Sequence, residues 1–208
     1  MSRTGIVQSL TRLQSTVKYF KKENFMEEEN KQSVHFSSAS NTWDTPDDFY
    51  QKLHNVWNFT LDPAAMDDTA KCEKYYTPET DGLAHSWEGE TVWCNPPYGR
   101  EISKWFKKFE QEHRENGTTI IALPPARTDT KYFHNYIQGC AEAICFVKGR
   151  LKFDNRSLPS WTEDGSHKKS GAPFPSMIVI YDNDITDQKI EVLNSLGFVV
   201  RPWIDTNE

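Results

Sequence analysis

Apolar positions in this chain come in short bursts, and the spacing inside the bursts switches between two kinds. Phe49, Leu53 and Val56 recur at helical intervals, as do Ile102, Trp105, Phe106 and Phe109. Between them lie compact runs rich in β-branched and aromatic residues: Phe59 to Asp62, Thr91 to Trp93, Thr118 to Leu123, Ala143 to Val147, Phe174 to Tyr181 and Phe198 to Val200. A further helix is predicted to open with Tyr132, Phe133 and Tyr136, and another to run from Ile185 to Leu196. After the turn at Lys148-Gly149-Arg150, the residues Leu151, Lys152 and Phe153 alternate as a strand does. Strands alternating with helices predict an α/β domain.

The punctuation agrees with the periodicity. Thr45 is a good N-cap, Pro46 fits a first helical position, and Asp47 and Asp48 suit the dipole of a helix reaching about Val56. Asn116-Gly117 closes the helix that begins near Ile102. Residues 154–174 form a long polar loop, of a length that in a compact domain is usually functional or disordered. Residues 1–36 stand apart as a polar extension, helical or partly disordered, and the domain proper is expected over 37–208.

Composition narrows the class. Only 37% of the 208 residues are hydrophobic, but 13% are aromatic, and those large side chains can fill one full core. No apolar run approaches the ~20 residues of a membrane span, and no signal-peptide core opens the chain. Cys72, Cys94, Cys140 and Cys145 form no C-x-x-C pair, so reduced cytosolic thiols and no metal site are expected. A net charge of −6 argues against a wholly basic nucleic-acid binder. The charge is unevenly spread, however. Residues 40–97 carry three basic and eleven acidic groups, whereas 98–156 carry eleven basic and seven acidic. Part of that positive block is the solvated helix face at Lys104, Lys107 and Lys108; the rest lies where a polyanion would approach the chemistry described next.

Asn95-Pro96-Pro97-Tyr98 follows the predicted strand Thr91–Trp93 directly. The prolines cannot donate ladder hydrogen bonds and they fix their own φ, so the strand ends at Asn95 and the turn sits at a carboxyl edge, where open α/β sheets bind ligands. An exocyclic amine on an aromatic ring is a poor nucleophile, because its lone pair is delocalised. Acceptors aimed at its two N–H bonds, here the Asn95 side-chain oxygen and the Pro96 carbonyl, can free that lone pair, and Tyr98 offers a face for the base. The plainer alternative is a Pro-Pro loop closing a strand. Asp62-Pro63-Ala64-Ala65 ends another strand in an acid and small residues that let a ligand approach; the acid can receive an ammonium group, or simply form an Asp-Pro turn, which local evidence favours. Asp81-Gly82-Leu83 offers a second acid that can accept a cofactor's adenine amine with Leu83 against the ring, or form a surface turn. Arg127 and Asp129, after a strand ended by Pro124-Pro125, point at the same crevice or pair locally.

The pieces Trp43-x-Thr45-Pro46, Leu61 to Ala65, Asp81-Gly82-Leu83, Trp93 to Tyr98, Leu123 to Thr130 and Phe146-x-x-Gly149-Arg150-Leu151-x-Phe153, in that order, resemble phage-encoded DNA N6-adenine methyltransferases of the Dam type. The resemblance covers about residues 41–181. It implies a reduced, Rossmann-like class I methyltransferase fold, a mostly parallel sheet with an antiparallel terminal hairpin. It implies S-adenosylmethionine as donor, double-stranded DNA as partner, and the host cytoplasm as location if the gene is a phage's. Asn95, Pro96, Pro97 and Tyr98 would be catalytic, and Asp62, Pro63, Ala64, Asp81 and Leu83 would hold the cofactor. Arg100, Arg127, Arg150, Lys152, Arg156, Trp161, Lys168 and Lys169 are the candidate DNA contacts. No clear strand bearing a ribose-binding acid is predicted between Asp62 and Asn95. Methylation of an RNA base or a glutamine amide, and a non-catalytic DNA-binding relative, remain open alternatives.

Overall fold

Strand alternation decides which helix covers which face of the sheet. The computed structural model describes residues 43–153 and 172–201. In chain order these form α1 (Asp47–Trp57), β1 (Leu61–Asp62), β2 (Lys74–Tyr75), a single 3₁₀ turn (Gly82–Ala84), β3 (Thr91–Cys94), α2 (Ile102–Asn116), β4 (Thr119–Ala122), α3 (Lys131–Tyr136), β5 (Ala143–Val147), β6 (Met177–Tyr181), α4 (Asp187–Leu196) and β7 (Gly197–Val200). One seven-stranded sheet has the order β2-β1-β3-β4-β6-β5-β7. The pairs β2–β1, β1–β3 and β3–β4 are parallel, while β6 runs antiparallel to both β4 and β5, and β7 antiparallel to β5. Five strands therefore point one way and β6 and β7 the other, a mixed α/β sheet of mostly parallel strands.

Trp93, Ile121 and Ile180 are register partners and share a face. Trp93 meets Tyr50 of α1 edge-on at 5.5 Å, and Cys145, on the same face, donates its thiol to the Leu193 carbonyl of α4. Val92, Ile120 and Tyr181 take the opposite face, where Tyr181 packs on Phe109 of α2 and donates its hydroxyl to the Tyr136 carbonyl of α3 at 2.6 Å. Helices thus cover both faces, and all five residues of β6 are buried, as expected for a central strand clothed on two sides.

Three expectations are corrected. Thr45 is not the cap of α1: Pro46 holds that position, and the Thr45 hydroxyl is engaged elsewhere. The strand between Asp62 and Asn95, β2, is only Lys74 and Tyr75, so the expectation that no strand there bears an acid stands. Leu151–Phe153 is not a strand; the Leu151 carbonyl accepts from Ala172, and Phe153 is buried among aromatic rings instead. The antiparallel end of the sheet is β6-β5-β7, and the last strand pairs with β5 rather than with β6. Residues 1–36 lie outside the described residues.

Candidate active site

The parallel strands β1, β3, β4 and β5 end on one edge, and the predicted chemistry collects there. The β3–β4 ladder extends one bond past the strands, from the Leu123 N–H to the Cys94 carbonyl (3.0 Å), and delivers Asn95 at its end. The Asn95 amide is held on three sides. Its Nδ2 donates to the Trp43 carbonyl and to Thr45 Oγ1 (3.1 Å), and its Oδ1 accepts from the Tyr98 hydroxyl at 2.6 Å. That same hydroxyl lies 2.8 Å from the Leu123 carbonyl. Tyr98 is buried, its ring met edge-to-face by Phe174 (5.4 Å) and Phe153 (6.5 Å), which also stand edge-on to Trp43. The open stacking face expected for Tyr98 is therefore enclosed here by two phenylalanines.

Asp62 ends β1, the neighbour of β3. Its carboxylate accepts backbone N–H groups from Ala64 (3.3 Å) and Lys71 (3.2 Å) and is otherwise buried. Burial pushes its pKa up to about 6, and the two N–H bonds hold back a larger rise. Asp62 and Asn95 line one cleft of about 170 Å³ with Trp43, Thr45, Ala64, Ala65, Lys71 and Pro97. A polar cleft of about 510 Å³ adjoins it through Thr45, Thr69 and Lys71. The Trp43 indole N–H is buried with no acceptor among the described residues.

Asp81 and Leu83 do not line that cleft. Asp81 is exposed, sits at φ 48°, and uses its carboxylate to accept the Leu83 N–H at 3.2 Å. Its loop nevertheless abuts the Asp62 loop: a Cβ placed on Gly82 would lie 2.0 Å from the Pro63 carbonyl oxygen, so only glycine fits. Arg100, Arg127, Arg150 and Lys152 are exposed on the loops that leave β3, β4 and β5 at the Asn95 edge. Arg156, Trp161, Lys168 and Lys169 lie outside the described residues.

The sequence profile of the DNA N-6-adenine-methyltransferase (Dam) family matches residues 32–197, most of the chain and the whole edge just described. The chain belongs to that family. It is 25% identical to the DNA N-6-adenine-methyltransferase of Haemophilus phage HP1 over 147 residues, 70% of this chain and 80% of that protein. It is 36% identical over 104 residues to the DNA N-6-adenine-methyltransferase of Escherichia phage T1, spanning 49% of this chain and only 43% of the T1 protein.

Within the Dam-family match, sequence reasoning missed Trp43, Thr45 and Lys71 as parts of the cleft. Trp43-x-Thr45-Pro46 was visible as a motif, but helix-cap logic assigned the Thr45 hydroxyl to α1. Lys71 gave no local signal, because it reaches the site through the Asp62–Lys71 backbone hydrogen bond and pairs with Asp47 across the chain entry.

Proposed function

We propose that this chain transfers a methyl group from S-adenosylmethionine to the N6 amine of adenine in double-stranded DNA, acting on a base turned out of the stack. The observation that carries the reading is the shared cleft: an Asn-Pro-Pro-Tyr turn at the end of β3, beside a buried acid at the end of β1, in a member of the Dam family. A Rossmann-like class I methyltransferase domain over 37–208 and a cytoplasmic setting belong to the same proposal. No helix among the described residues is long and apolar enough to cross a membrane.

The donor set suits the cofactor. Asp62 would face its ammonium group, Ala64 and Ala65 leave room for close approach, and the buried Trp43 indole N–H is a donor that can meet its carboxylate. When bound, S-adenosylmethionine supplies an electrophilic methyl on its sulfonium. Asp81 and Leu83 are proposed to hold the adenine end of the cofactor, which the contact between the Gly82 and Pro63 loops brings near.

Asn95 Oδ1 accepts one N6–H of the target and the Pro96 carbonyl accepts the other. As the nitrogen pyramidalises and attacks the methyl, the methyl–sulfur bond would break with its electron pair staying on sulfur as a neutral thioether; these acceptors hold the positive charge that develops on the nitrogen, and the surplus proton leaves to water. Fixing the amine in line contributes much of the acceleration. The target amine cannot be reached inside a duplex, so base extrusion precedes the step. Arg100, Arg127, Arg150 and Lys152, with Arg156, Lys168 and Lys169, are proposed to contact phosphates, and Trp161 to contact bases or fill the gap left by the extruded one.

The test offers labelled cofactor with DNA, RNA and protein in parallel. Label on adenine N6 of DNA is expected. Label on RNA or on a glutamine amide would redirect the substrate, and DNA binding without any transfer would mark a non-catalytic relative.

A further inference from the structure

A primary amide can turn over about its Cβ–Cγ bond and its last torsion is broad, so an asparagine that must present oxygen to a substrate needs something to hold it. Asn95 has two N–H donors, and both are engaged by one short segment of chain. One meets the Trp43 carbonyl and the other meets Thr45 Oγ1 at 3.1 Å. The carbonyl can only accept, so it decides which end of the amide is nitrogen. The Thr45 hydroxyl fixes the second N–H and hence the tilt of the amide plane. Thr45 is 5% exposed, and the chain turns directly after it into Pro46, whose carbonyl accepts from Phe49 and Tyr50 at the start of α1. The helix thereby anchors the threonine, and the threonine anchors the amide, across fifty residues of sequence.

We propose that Thr45 is a positioning residue for the transfer step: with the Trp43 carbonyl it clamps the Asn95 amide so that Oδ1 faces the substrate. This rests on the reading of Asn95 as acceptor for the target amine. Thr45→Val keeps the shape and removes the acceptor, while Thr45→Ser keeps it; Thr45→Ala gives the same loss if valine prevents folding. Misplacement of a reacting group by about an ångström can cost on the order of 10²-fold in rate, so kcat of Thr45→Val is expected to fall roughly ten- to hundredfold. Its cofactor and DNA dissociation constants should stay within about threefold, because a clamp acts on the step and not on ground-state binding. Thr45→Ser should recover most of the loss. An unchanged kcat, or a lost cofactor affinity with kcat intact, overturns the proposal, the latter making Thr45 a cofactor contact.

A second measurement does not need turnover. The Asn95 side-chain amide pair, assigned in nitrogen-15 spectra by its disappearance in Asn95→Ala, should be distinct and slow to exchange in the parent and in Thr45→Ser. In Thr45→Val it should shift and exchange faster. An amide pair identical in Thr45→Val and the parent overturns the clamp whatever the enzyme acts on. A parent that leaves DNA adenine unmethylated sinks the functional reading alone.

Discussion

At the scale of single residues, the proposed roles separate groups that would act on the amine from groups that would hold the cofactor. Asn95→Ala is expected to abolish transfer while cofactor affinity stays within a few-fold, since the change removes an acceptor for the target; near-normal turnover in that variant would refute the assignment. Asp62→Ala should weaken cofactor binding by about ten- to hundredfold, the loss of a hydrogen bond to a charged group being worth roughly 1.5–3 kcal/mol. Calorimetry as a function of pH adds a second check. Asp62 titrates near 6 because it is buried, so affinity for a cationic ligand should fall as pH drops through that value. In the absence of ligand the sign reverses: the raised pKa favours the neutral acid, so its stability contribution is present below the ordinary aspartate range and lost as pH rises through about 6. Asp62 and Asn95 were legible because an acid and an Asn-Pro-Pro-Tyr turn each end a run of apolar residues. The role of Thr45 was not, since a hydroxyl beside a helix start and fifty residues from its partner reads locally as a cap. Asp81 is the residue whose structure fits its expected role least. If Asp81→Ala leaves cofactor affinity unchanged, its work is the Leu83 N–H it already accepts.

At the scale of elements, two joints carry the load. The first is the end of α2, where His113 Nδ1 faces the Thr118 carbonyl at 2.9 Å and Nε2 faces a Glu142 carboxylate oxygen at 3.0 Å. Both partners are acceptors, so the doubly protonated ring satisfies both contacts at once. The hydrogen bond to Glu142 raises the His113 pKa, burial opposes it, and the Thr118 carbonyl and Asp182 add to the rise. A raised value means the contribution is complete below the ordinary histidine range near 6.5 and fades as pH climbs through the folded-state pKa. Thermal unfolding should therefore show Tm falling on the alkaline side, and Glu142→Gln should flatten that slope; an unaltered slope would assign the loss to other groups. The second joint is Gly82 against Pro63. Gly82→Ala forces a carbon against a backbone oxygen, and overpacking of this kind costs typically about 1–3 kcal/mol, which in a domain this size lowers Tm by roughly 2–4 °C per kcal/mol. Long elements were legible: β5 occupies the predicted Ala143–Val147 run, and Gly117 closes α2 at φ 66°. β2 was not, because two residues among charged neighbours carry no periodicity. Leu151–Phe153 alternates for another reason: Phe153 packs against Trp43 and Tyr98 rather than facing one side of a sheet.

At the scale of the whole molecule, charge and topology meet. The chain is acidic, yet Arg100, Arg127, Arg150 and Lys152 stand exposed on loops leaving three strands at the edge that carries Asn95. If these are phosphate contacts, replacing one with alanine should weaken binding to every duplex alike and reduce the slope of log affinity against log salt by about one unit. Fluorescence anisotropy over a salt series reads both quantities. An unchanged slope in each of the four variants would move the DNA path elsewhere. The positive block at residues 98–156 was visible in the sequence, but that its members leave different strands on one side follows only from the parallel order β3, β4 and β5.

The Tyr98 hydroxyl has one proton and two oxygens within reach, Asn95 Oδ1 at 2.6 Å and the Leu123 carbonyl at 2.8 Å. The oxygen proposed to receive the target amine thus already has an internal donor, and that donor has a second acceptor alongside. When an amine arrives, rotation about the phenolic C–O bond can move that proton to Leu123, so the oxygen is freed by exchanging one hydrogen bond for another. Until then one lone pair of that oxygen is taken, and admission of the proposed substrate becomes an exchange between donors rather than the filling of an empty place.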